Sequence, residues 1–174
     1  MTVAANIVSR LLRSGPDPRT ALRPLWHRLI EIAREPEWYR DCGVADTLEG
    51  RFDMVTAATA FAMLRMEGDE KLARSTGLLA EWFVEDMDGQ LRQSGVGDLV
   101  VGKKIGKLMS TLGGRIGAYR SAMAADEAAL AEAVRRNVTL ADETRAPALA
   151  ERLTQLHGRF AATPAAGMLQ GDIA

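Results

Sequence analysis

The acidic run Glu85-Asp86-Met87-Asp88 contains the residue types most suited to chemistry in this chain. Carboxylates bind Mg²⁺ or Ca²⁺, and a pair of them can act as general acid and base. In a helix, however, Glu85, Asp86 and Asp88 do not all share one face. The chain also has no Glu-x-x-His pair of the kind that holds a di-iron centre. We therefore expect no metal, no cofactor and no carboxylate-based catalytic site.

A nucleophilic cysteine is not favoured either. Cys42 is the single cysteine of the sequence, which excludes a disulfide framework or a cysteine-rich zinc site within one chain. A reactive thiol needs a base, and the sequence contains His27 and His157 but no nucleophile motif around Cys42. We expect Cys42 to be an inert packing residue and the protein to be non-enzymatic.

Three of the four lysines lie close together, at Lys103, Lys104 and Lys107. They form a basic stripe on the far side of a predicted helix, with Arg115 nearby. Such a charge run is ordinarily a solvated surface, and the alternative is a site for anionic lipid or for an acidic partner. Gly102-Lys103-Lys104 is not a phosphate loop, because the G-x-x-x-x-G-K-[ST] pattern is missing.

The helix that carries these lysines, predicted over about 99–123, is rich in glycine. Each glycine in a helix interior costs about 1 kcal/mol relative to alanine. A stripe of small residues allows two helix backbones to approach closely. The stripe is therefore filled either by another helix of the same domain or by a helix of a partner. Its members are Gly102, Gly106, Ser110, Gly113 and Gly117.

The composition is that of an ordinary globular domain. The chain has 174 residues, of which 47% are hydrophobic and 26% charged, and its net charge is -1. This length suits one domain with a real core, and the charge gives no general attraction to nucleic acid. No stretch approaches the roughly 20 apolar residues of a membrane span. The basic N-terminus predicts a short amphipathic helix, with an organelle presequence as the alternative, and it lacks the long apolar region and cleavage site of a secretion signal.

Apolar spacing predicts an all-α, single-domain bundle of about six to seven helices, since strand signals are nearly absent. Breaker residues divide the chain into an N-terminal arm (1–19), a core (20–125), C-terminal helices that complete the bundle (126–162) and a flexible tail (163–174). The longer helices are expected over about 20–34, 48–66, 70–93, 99–123, 127–140 and 147–162.

The segment 48–66 is apolar on two sides of its predicted helix. A helix of this kind is either central in the core, which we favour, or offers one side to a partner. One face carries Met54, Ala58, Phe61 and Ala62, and the other carries Leu48, Phe52, Val55, Met63 and Met66.

Short motifs follow one another between Gly43 and Lys104, within a region of resemblance that covers roughly Leu22 to Met123. In order they are Gly43-Val44-Ala45-Asp46-Thr47, Gly50-Arg51-Phe52-Asp53-Met54, Asp86-Met87-Asp88 with Leu91-Arg92, Gly95-Val96-Gly97-Asp98 and Val101-Gly102-Lys103-Lys104. This series resembles the ubiquinol–cytochrome c chaperone family in order and spacing. The resemblance implies an all-α, non-enzymatic chaperone that binds newly made cytochrome b and assists biogenesis of the cytochrome bc1 complex. It also implies a location peripheral to the inner membrane, on the cytoplasmic side in bacteria or on the matrix side in mitochondria. Mitochondrial members act with a small partner protein, and the short N-terminus here is more like that of bacterial members.

A client made of transmembrane helices requires adaptable apolar surface, which methionine supplies, although core packing uses the same residue. The basic stripe of Lys103, Lys104, Lys107 and Arg115 is the candidate site for anionic lipid or an acidic partner. The alternative function is therefore a peripheral anionic-lipid-binding protein, and a small metal-dependent enzyme using the acidic run is a third hypothesis. The candidates for binding a client or partner are Met54, Phe61, Met63, Met66, Gly102, Gly106, Met109 and Gly113.

Overall fold

The structure is arranged around one buried helix. The computed structural model describes residues 17–93 and 101–173, with side chains for 17–90 and 106–173. Short 3₁₀ helices at Pro18–Leu22 and Glu143–Arg145 precede α1 and α8, respectively. The α-helices of the described ranges are α1 (Arg23–Ala33), α2 (Pro36–Arg40), α3 (Leu48–Glu67), α4 (Glu70–Ala73), α5 (Thr76–Gln93), α6 (Val101–Ala125), α7 (Glu127–Asn137), α8 (Ala146–Ala162) and α9 (Ala165–Gln170).

The all-α prediction is confirmed. In the described ranges, β structure is limited to an isolated bridge between Val44 and Leu140. This bridge ties the segment before α3 to the segment after α7, where the amide of Ala45 donates to the carbonyl oxygen of Thr139 at 2.9 Å. Most of the predicted N-terminal arm, residues 1–16, lies outside the described residues, and the division of the chain into segments stays a prediction.

Helix α3 is the central helix. Thr47 caps it, since its hydroxyl oxygen accepts a hydrogen bond from the Gly50 amide at 3.2 Å. Helices α1, α5, α6 and α8 pack around α3, and every side chain from Asp53 to Met63 is buried. The favoured interpretation, that a helix apolar on two sides lies in the core, is confirmed.

One face of α6 packs against α3, α5 and α7. Its buried members include Leu108, Leu112, Ile116 and Tyr119, as the apolar stripe predicts. The ring of Tyr119 stacks on that of Phe61 in α3, with 5.1 Å between the ring centroids. Because this face is buried, the opposite side of α6 points outward.

Two helix boundaries differ from those expected. The predicted helix over 70–93 is divided into α4 and α5, and the hydroxyl of Thr76 donates to the carbonyl oxygen of Ala73 at 2.8 Å at this break. Helix α7 ends at Asn137 rather than at Leu140, because Val138 adopts an extended conformation with φ -125° and ψ 134°. The extended residues then pair with the segment before α3.

The C-terminal segment, predicted to be a flexible tail, is helical and packed. Helix α9 lies against α1, and both Met168 and Ile173 are buried. Gly171 ends α9 at φ 73°, a left-handed conformation that favours glycine. The guanidinium of Arg28 donates to the Ile173 carbonyl oxygen at 3.0 Å. Ala165 and Leu169 also pack against the core, but the segment is too short to show a helical period.

Candidate functional site

An apolar cleft opens between the first turns of α3, the last turns of α5, the first half of α6 and the end of α7. Its volume is about 640 Å³, within the usual range of ligand-binding pockets. Leu48, the first residue of α3, lines the cleft. Its side chain is 61% exposed, and among the described residues it is the one large hydrophobic side chain classed as exposed. The other apolar lining residues are Phe52, Met87, Leu108 and Val138.

A buried ion pair also lines this cleft. The Nη2 atom of Arg115 donates to Oδ1 of Asp53 at 2.5 Å, and both residues are at least nine-tenths buried. Oδ2 of Asp53 accepts from the amide and the hydroxyl of Thr139, at 2.8 and 2.7 Å. Asp53 therefore connects α3, α6 and the segment after α7. A buried charge is tolerated when it is paired and hydrogen-bonded in this way.

Further polar groups surround the apolar surface. Lys107 and Arg136 are exposed lining residues, and Nε of Arg136 lies 3.9 Å from the carboxylate of Glu132. Glu49 is an exposed acid in the same lining. The guanidinium carbon of Arg115 lies 5.8 Å from the ring centroid of Phe52, close enough for a cation–π contact. The cleft thus combines apolar surface with cationic hydrogen-bond donors.

The cleft was not among the sites predicted from the sequence. The site could have been found from Asp53, because a carboxylate within an otherwise apolar, buried helix requires a hydrogen-bonding or ionic partner. Its partner Thr139 lies 86 positions away, and no local pattern connects the two.

Four of the predicted client-binding side chains lie in the core. Met54, Phe61 and Met66 have no exposed surface, and Met63 is 8% exposed. They offer essentially no surface to a partner in this conformation, and their role in binding stays a prediction. Met109 is half-buried and packs against the core.

The glycine stripe faces away from the core. Gly106 and Gly113 are exposed and Gly117 is half-buried. A Cβ atom added at these positions or at Gly114 would meet no described atom within 4 Å. Within the described residues, therefore, no helix of the chain covers these positions, and whether another helix of the same domain or a helix of a partner fills the stripe stays a prediction. The surroundings of Gly102 lie outside the described part of the structure.

Alanine at Gly113 or Gly117 is expected to raise the free energy of unfolding by about 0.5–1 kcal/mol for each substitution. The added methyl group has space, and alanine restricts the unfolded chain more than glycine does. Urea unfolding would measure the change, with Gly158→Ala in α8 as a control because its Cβ would also meet open space. If Gly113→Ala or Gly117→Ala lowered the stability while Gly158→Ala did not, the result would contradict the outward orientation of this face.

The basic stripe is divided between surface and interior. Lys107 is exposed, whereas Arg115, predicted to lie near the lysines, is buried against Asp53 and does not share the outward face of α6. The side chains of Lys103 and Lys104 lie outside the described part. A role for these residues in binding an anionic partner stays a prediction.

The acidic run lies on helix α5 in ordinary surface pairs. Glu85 forms an ion pair with Arg19, and Asp86 accepts a hydrogen bond from Gln90 at 3.2 Å. Across the described residues, no group of three or more His, Cys, Asp or Glu side chains is placed to hold a metal ion. Cys42 is buried, and burial raises the pKa of its thiol, which disfavours the reactive thiolate.

The chain thus has the architecture of an all-α bundle: a buried central helix, supporting helices around it and an open apolar cleft with cationic groups. No helix in the described ranges has the length and apolar character required to cross a bilayer. The chain belongs to the ubiquinol–cytochrome c chaperone family, whose sequence model matches residues 40–174. The resemblance seen in the short motifs is confirmed.

A solved structure of similar fold is that of the Cbp3 homolog from Brucella abortus. The two sequences are 29% identical, and the match covers 97% of this chain and 95% of that chain, with a TM-score of 0.79. No curated protein matches the chain.

Proposed function

We propose that this protein binds newly made cytochrome b and assists biogenesis of the cytochrome bc1 complex at the inner membrane. The observation that carries this proposal is the family match over residues 40–174, which includes every residue that lines the cleft. A newly made membrane protein presents apolar helices that aggregate unless they are covered. An open apolar cleft on a stable helical scaffold suits that task, and family membership implies a role without catalysis.

Deletion of the gene is expected to lower cytochrome b and the assembled bc1 complex while sparing the other respiratory complexes. Without the chaperone, newly made cytochrome b would be left unprotected. It should therefore be synthesised at a normal rate and then degraded. Pulse labelling and native electrophoresis would measure both quantities, and the intact gene supplied in trans is the control. Normal levels of cytochrome b and of the complex in the deletion strain would contradict the proposal.

A second candidate function, binding of an anionic lipid surface, is supported by Lys107, which is exposed next to the apolar cleft. Charge reversal of Lys103, Lys104 and Lys107 should then reduce co-sedimentation with anionic liposomes. Lys71→Glu is a charge-reversal control at another surface, to be compared with the single Lys107→Glu variant, because Lys71 is an exposed lysine of α4 that does not line the cleft. Co-sedimentation that does not depend on anionic lipid would remove this candidate.

A further inference from the structure

We draw no further inference here: the strongest candidate, the apolar cleft between α3, α5, α6 and α7, has cationic lining groups that are matched by carboxylates, and nothing in the described structure shows what covers it.

Discussion

Replacing Asp53 by Ala is expected to lower the free energy of unfolding by about 3–5 kcal/mol. The substitution leaves the guanidinium of Arg115 buried without its carboxylate. It also removes the acceptor for the amide and hydroxyl of Thr139. Uncompensated buried charge is the larger of these two costs, because an ion taken out of water keeps its full desolvation penalty when its partner is lost.

Chemical unfolding of the single and double variants would test this prediction. Asp53→Ala combined with Arg115→Met removes both charges, and it should recover a large part of the lost stability. Tyr119→Phe is a suitable control, because the buried Tyr119 hydroxyl has no hydrogen-bond partner in the described structure. Its removal should be neutral or stabilising. A loss below about 1 kcal/mol for Asp53→Ala would mean that the pair is effectively solvated.

The helices could be predicted from the sequence where apolar side chains recur over several turns. Helix α3 shows this well, since its two apolar faces predicted a central position and the structure places it there. The C-terminal segment could not be predicted, because its few apolar residues span too short a stretch to define a period. Its packing depends on α1, which is far away in the sequence.

For Arg115, a helical wheel predicts the direction of the side chain but not its ion-pair partner. Arg115 lies seven positions after Leu108, so the two side chains point in directions that differ by only about 20°. Lys107 lies one position before Leu108 and points about 100° away. The helical wheel therefore places Arg115 and Lys107 on different faces of the helix. The wheel does not identify Asp53, the ion-pair partner that makes burial of the guanidinium possible.

The cleft and the orientation of the glycine stripe depend on tertiary packing. The cleft combines residues from α3, α5, α6 and α7, whose order in the sequence says nothing about the space between them. The glycine pattern predicted that a backbone could come close to α6. The pattern could not say whether this backbone belongs to the same chain, and around Gly106, Gly113 and Gly117 the described chain provides none.

Gly50→Ala is expected to lower the free energy of unfolding by about 3 kcal/mol or more. An added Cβ atom would lie 1.9 Å from the carbonyl oxygen of Ala45, a distance that atoms cannot adopt without a backbone shift. Ala45 is itself held in place, because its amide donates to the Thr139 carbonyl oxygen at 2.9 Å. The strain at Gly50 is therefore transmitted to the segment that follows α7.

Gly77→Ala is the matched control for this substitution. Gly77 lies in the first turn of α5, as Gly50 does in α3, but a Cβ atom at Gly77 would meet nothing within 4 Å of the described structure. The control should be neutral or slightly stabilising, since alanine is the better helix former. Urea midpoints and soluble yield would measure both variants, and equal behaviour of the two would contradict the close approach at Gly50.

Combining Gly50→Ala with Asp53→Ala tests whether the two contacts act as one unit. Both substitutions act on Thr139. One displaces Ala45, whose amide donates to the Thr139 carbonyl oxygen, and the other removes the carboxylate that accepts from Thr139. Residues that share a partner are usually not additive, so the combined loss should be smaller than the sum of the single losses by about 0.5–3 kcal/mol. Additive losses would mean that the segment after α7 responds independently to each contact. A coupled result would show that the glycine and the ion pair hold the same wall of the cleft.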